Sequence, residues 1–263
     1  MQTLRFAVAT NSFGQTLRKS LETAADIGAQ GVQLDARTEL QPVGLSETGR
    51  RQFLHQLDEM GLSVASLSFP ARRSYYNPEH LDARVAATKA AMQLAYQLRA
   101  RVVTARIGRI PSDKESADYQ VLRDVLNDLA RHGNHIGATL AITPTNDSPT
   151  ALAELIAATT DGPIGIDFDP ANFVMTGSNP VEAWRDLYQS VAHVQIRDGV
   201  SDIDGSGLEV PVGRGEVEWD EFLALTNEAD YRSWLTVKRT TGDDKVNDCA
   251  RAIQYLRRVA MGG

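Results

Sequence analysis

The chain has 263 residues, 42% apolar and 23% charged, which is enough for one large α/β domain or two small ones with a sizeable core. Lys and Arg number 27 against 34 Asp and Glu, a formal charge of −7, which excludes a generic nucleic-acid binder because phosphate backbones reward dense basic surface. The single cysteine, Cys249, excludes an internal disulfide framework and fits a reducing compartment.

No run approaches the roughly 18 apolar residues of a membrane-spanning helix. The amino terminus, MQTLRFAVATNS, lacks a charged-then-apolar leader pattern. The expectation is a soluble, cytoplasmic protein with no nucleic-acid or membrane partner.

Eight short β-branched or apolar runs follow one another: Leu4–Thr10, Gly31–Ala36, Ser63–Phe69, Arg101–Ala105, Ala138–Thr143, Pro163–Asp169, Ala192–Arg197 and Trp234–Lys238. Helical spacing fills the gaps. Tyr119, Leu122, Leu126 and Leu129 form one apolar stripe; Val246, Cys249, Ile253, Leu256 and Ala260 form another, which makes Cys249 a core thiol. Ser46 reads as an N-cap, Gly61 as a helix terminator, and Pro78, Pro149 and Pro180 as helix starts. Eight strands alternating with eight helices over about 250 residues predict an α/β fold, a single (β/α)8 TIM barrel forming one domain over residues 1–263. A doubly wound open sheet is the runner-up, but the first turn, ATNSFGQTL, has no G-x-G-x-x-G.

Strand parity then selects the inward side chains. In the sixth run Ile164, Ile166 and Phe168 face the helices, leaving Gly165, Asp167 and Asp169 inward; in the seventh His193, Gln195 and Arg197 face inward. Thr143 in the fifth run, and Thr236 and Lys238 in the eighth, also point in. Barrel interiors are normally filled with branched apolar residues, so this polar set at adjacent strand ends calls for a polar ligand, a metal or internal pairing.

In order and spacing, LAITPTN, IGIDFDPANF, HVQIRDG, VPVGRGEVEW and WLTVKRT resemble the xylose isomerase-like barrels, specifically the sugar phosphate isomerase/epimerase group; GVQLDAR and VVTARIGRIP resemble its second and fourth strands. The resemblance covers nearly the whole chain and implies a divalent metal such as Mn or Mg, held by Glu, Asp, His and Glu on strands five to eight. Those positions fall here on Thr143, Asp169, Gln195 and Lys238, so three of the four ligands are replaced; His193 keeps the first His of an H-x-H pair, and Asp198 keeps the Asp that follows. One carboxylate with neutral Thr and Gln groups is a poor cage for such an ion. An ammonium about 4 Å from a dication adds about 8 kcal/mol of repulsion at an effective dielectric of about 20.

The expectation is therefore no cofactor, with the Lys238 ammonium taking the electrostatic place of the ion and neutralising Asp169. The glutamate pair that the resemblance implies for epimerisation is absent. A one-base isomerisation would use Asp169 or Asp167, with Lys238 and His193 polarising the oxygen. Arg106 and Arg197, within a crowd that includes Arg37, Arg72, Arg73, Arg109 and Arg239, suggest an anionic carbohydrate or other anionic ligand. Thr143, Asp167, Asn172 and Gln195 complete the expected substrate contacts, Asn172 doubling as a helix-capping candidate.

Two alternatives stand beside the isomerase/epimerase reading: a non-catalytic small-molecule-binding barrel, and a Schiff-base lyase using Lys238. The glycine-rich stretch Gly199–Trp219 reads as a mobile flap with VPVGRGEVEW docking back on the barrel. His55, His80, His132 and His135 read as surface residues, and Phe69, Tyr75 and Tyr76 as pocket walls or a cover on the barrel end. The resemblance suggests a homodimer, with no interface readable.

Overall fold

The β-branched runs become the staves of a closed parallel barrel in the computed structural model, which describes residues 4–202 and 207–261. Its eight strands are β1 (Arg5–Ala9), β2 (Gly31–Asp35), β3 (Ser63–Ser68), β4 (Val102–Ala105), β5 (Thr139–Ile142), β6 (Ile164–Phe168), β7 (Val191–Ile196) and β10 (Trp234–Val237), each paired with its neighbours in sequence and β10 closing on β1. A separate antiparallel pair, β8 (Asp198–Val200) and β9 (Leu208–Val210), sits within the glycine-rich stretch.

The outer ring is made of α1 (Leu17–Asp26), α2 (Glu47–Glu59), α3 (Leu81–Gln97), α4 (Ala117–Ile136), α5 (Pro149–Ala157), α6 (Pro170–Met175), α7 (Pro180–Leu187), α8 (Trp219–Glu228) and α9 (Lys245–Ala260). The expected one-helix-per-crossover count fails at the sixth, where α6 and α7 follow β6: Asp169 and then Asn179 each cap a new helix start with Pro behind them. Ser46, Ser116 and Ser148 cap α2, α4 and α5 through their side-chain oxygens. Pro149 and Pro180 stand in first turns as expected, whereas Pro78 lies outside; α3 begins at Leu81 behind His80, whose φ is +54°.

Side-chain contacts follow the predicted parity. Phe168 points outward into an aromatic cluster, stacked on Phe222 with centroids 5.7 Å apart and edge-on to Trp184 at 5.2 Å. Tyr119, Leu122, Leu126 and Leu129 on α4 and Cys249, Ile253 and Leu256 on α9 are buried. Burial also pushes the Cys249 thiol up to about 12, as expected of a core cysteine.

Two one-residue bulges set the height of the interior side chains. Ala65 is the extra residue between the pairs Val32↔Val64 and Gln33↔Ser66, and Ala192 between Ile166↔Val191 and Asp167↔His193. Gly165 makes the second bulge possible, because a Cβ there would run into the Ala192 methyl. The bulges put Ser66 level with Gln33 and His193 level with Asp167. Below them the floor of the barrel is a small apolar cluster of Ala7, Ala65 and Trp234, with the Arg5 guanidinium 3.7 Å from the Trp234 ring centroid.

Candidate functional site

Above that floor the barrel interior carries a buried polar network. Asp167 and His193 are fully buried, and His193 Nδ1 lies 2.6 Å from Asp167 Oδ1. A carboxylate oxygen only accepts, so Nδ1 donates and Nε2 faces the hydroxyls of Thr236 at 2.8 Å and Ser66 at 3.0 Å. The second Asp167 oxygen accepts from Thr143 Oγ1 at 2.6 Å and from the Gln195 amide. Gln33 donates to Ser66 at 2.9 Å, while its own Oε1 is buried with no partner among the described residues. Parity thus brings Thr143, Asp167, His193 and Gln195 together on one carboxylate.

A charge ladder lies at the carboxyl rim. Asp169 Oδ1 caps α6 by accepting from the Asn172 backbone N–H at 3.2 Å, and Oδ2 accepts from Arg197 at 2.5 Å. Arg197 also donates to Glu209 at 2.6 Å, Glu209 accepts from Arg239 at 2.8 Å, and Arg239 reaches Asp248 on α9 at 2.9 Å. Burial works against charge at Glu209, but the Arg197 guanidinium with the Thr240 and Arg197 hydrogen bonds outweighs it and holds the carboxyl down to about 2. Burial likewise disfavours the Arg197 cation, yet Asp169 and Glu209 together raise its pKa. Glu209 went unassigned in the sequence, and Arg239 was read only among the arginines suggesting an anionic ligand, because the ladder joins a hairpin, a strand end and a helix that share no spacing pattern.

The expected partnership of Lys238 with Asp169 is replaced by Arg197 with Asp169. Lys238 is half-buried just beyond β10, and its side-chain ammonium makes no ion pair or hydrogen bond among the described residues. Burial lowers its pKa; Arg197 and Arg106 push the same way, while Asp167 and Asp169 oppose them at longer range. Arg106, exposed after β4, is also without an ion pair among the described residues. The Asn172 side-chain amide is engaged, donating to the Thr145 carbonyl at 2.9 Å. Glu39 lies over the ends of β1 and β2, accepting from Thr10 at 2.7 Å and from the Asp35 N–H at 2.8 Å; burial raises its pKa against those bonds.

The remaining expectations divide. Arg37 lies over the Phe69 ring, Arg73 pairs with Glu79, and Tyr75 is buried with its hydroxyl 2.7 Å from Thr88, so Phe69 and Tyr75 are packed cover. Tyr76 and Arg109 line a cleft of about 680 Å³ between the loops after β4 and β5. His55, His80 and His135 are exposed, while His132 is half-buried near the Lys89 carbonyl.

Residues 203–206 of the expected flap lie outside the described residues. The described part is fastened: Asp198 accepts from the N–H groups of Gly199, Gly213, Gly215 and Val217 and from Trp219 Nε1, and Glu209 is held by both arginines. VPVGRGEVEW docks back on the barrel as expected.

Among the described residues no three His, Cys, Asp or Glu side chains converge in a way that could hold a metal ion. No described helix is long and apolar enough to cross a membrane.

Comparison with known proteins agrees with this architecture. A xylose isomerase domain protein from Planctomyces limnophilus superposes with a TM-score of 0.88 at 25% identity, covering 99% of both chains. A D-tagatose 3-epimerase-like protein superposes at 0.79 with 17% identity, over 98% of this chain and 97% of that one. Inosose dehydratase from Clostridium botulinum (strain Eklund 17B / Type B) is 22% identical over 173 residues, 59% of this chain, and the match spans about half the length of that curated relative, 52%. A family model for the xylose isomerase-like TIM barrel matches residues 21–259, and the chain belongs to that family.

Proposed function

We propose that the protein is an isomerase- or epimerase-type enzyme that takes a small anionic carbohydrate at the carboxyl end of the barrel and works without the divalent ion implied by the resemblance. One observation carries this reading: among the described residues the cations Lys238 and Arg106 at the opening make no ion pair, while the carboxylates of Asp167, Asp169 and Glu209 already have donors. A phosphate or carboxylate on the ligand is what this opening lacks. The donor set does not suit a metal, because Thr143 and Gln195 are committed to Asp167, Asp169 to Arg197, and Lys238 brings a like charge.

Lys238 and Arg106 bind the anion and polarise a sugar carbonyl in this reading. Asp169, at the rim beside Arg197, is the proton acceptor. Asp167 and His193, enclosed with their polar atoms engaged, position Thr143 and Gln195 from beneath. That same engagement of each carboxylate favours the second reading, a barrel that binds such a ligand without transforming it.

Calorimetry with D-ribulose 5-phosphate against D-ribulose, followed by deuterium uptake from heavy water into the bound sugar, separates the cases. The phosphate ester is expected to bind at least about tenfold more tightly, with deuterium appearing at the carbon beside the carbonyl. Binding without uptake selects the binding barrel. Equal affinity for the neutral sugar overturns the anionic-ligand reading, and near-stoichiometric metal after soaking in Mn²⁺ and desalting overturns the metal-free one.

A further inference from the structure

We infer that Lys238 is a covalent nucleophile that captures the carbonyl carbon of the ligand as an iminium. The inference deepens the proposed function, since it rests on a carbonyl sugar entering this site. Three features of the geometry point to it. Lys238 leaves the carboxyl end of β10 at the rim, where a ligand enters a barrel of this kind. It is half-buried and its side-chain nitrogen has no ion pair or hydrogen bond among the described residues, so no partner must be displaced before the amine reacts. The nearby carboxylate that would have pinned it, Asp169, is held by Arg197 at 2.5 Å.

The surroundings suit both ends of the reaction. Burial and the cations Arg197 and Arg106 favour the neutral amine, whereas Asp167 and Asp169 at longer range favour a positive charge on the same nitrogen. The ammonium gives up a proton, and its lone pair forms the C–N bond while the carbonyl π pair moves to oxygen, which takes that proton. A second nitrogen proton passes to the oxygen, the C–O bond breaks and water leaves. Ammonium plus carbonyl becomes iminium plus water, with no net proton change, no redox step and the single positive charge still on Nζ. The iminium then acidifies the hydrogen on the adjacent carbon, which is the electronic demand of an isomerisation.

The test uses the full chain with dihydroxyacetone phosphate and sodium cyanoborohydride, read by peptide mass mapping. Reductive labelling is expected at Lys238 at least about tenfold above that at Lys19, Lys89, Lys114 or Lys245. Lys238→Arg, which keeps the charge, is expected to lose that label while retaining the circular dichroism of the parent. Labelling spread evenly over the lysines, or undiminished in Lys238→Arg, overturns the inference. If the parent binds dihydroxyacetone phosphate without reductant but gives no Lys238 adduct, covalent capture is wrong and the anionic-ligand site stands. If it neither binds nor labels, both fail.

Discussion

The floor and the upper interior of the barrel solve the same filling problem in opposite ways. At the floor, Ala7, Ala65 and Trp234 close the barrel with one large ring against two methyl groups. Gly31 is needed there because a Cβ would lie 2.9 Å from the Trp234 ring and 3.0 Å from the Ser63 carbonyl oxygen. Higher up, the interior is filled by Gln33, Ser66, Thr143, Asp167, His193, Gln195 and Thr236, joined by hydrogen bonds. Apolar filling needs volume and little else, whereas polar filling needs each partner in place, because an unmatched buried donor or charge is costly. The floor is a structural device, and the polar layer fixes the geometry of the rim.

The comparison breaks first at Asp167. Asp167→Ala leaves His193, Thr143 and Gln195 without their shared acceptor, and denaturant unfolding is expected to show a loss of about 3–5 kcal/mol. A loss near that of an ordinary surface change would mean the layer repacks around water. Trp234→Ala is expected to cost about 3 kcal/mol, the low end for a buried aromatic because a cleft of about 470 Å³ already borders that ring. It should leave binding of D-ribulose 5-phosphate unchanged in calorimetry. Weakened binding would show that floor and rim are coupled.

The third prediction sharpens the contrast through pH. The Glu209 carboxyl is depressed from 4.5 to about 2, so its contribution is fully present above pH 4.5 and is lost as pH falls towards 2. Parent and Glu209→Gln should therefore differ by about 2–3 kcal/mol at pH 6 and converge near pH 2, read from unfolding curves across that range. A pH-independent difference would remove the ladder as its cause.

Much of this was legible in the sequence. The strand runs agree with the observed strands to within one or two residues at either end, because β-branched content and turn residues act locally. Parity aimed Thr143, Asp167, His193, Gln195 and Thr236 at one another, since a period of two needs no tertiary knowledge. Parity gives direction but not height or reach, which is why Asp169 was paired with Lys238 rather than with Arg197. The two bulges were invisible because Ala65 and Ala192 differ from neighbouring alanines only in what the adjacent strand requires. Glu209 and the fastening of Asp198 were illegible because their partners lie in a glycine-rich return with no periodic pattern.

Above the bulge at Ala192, the alignment of the site is kept by residue count as much as by residue type. Removing Val194 takes nothing chemical from the rim. It would nevertheless shift the rest of β7 by one position, turning Gln195 and Arg197 towards the helices and Ile196 into the barrel. Descendants of this chain can exchange many side chains around the opening singly, but a one-residue deletion in that strand would erase the site in one step while leaving the composition almost untouched.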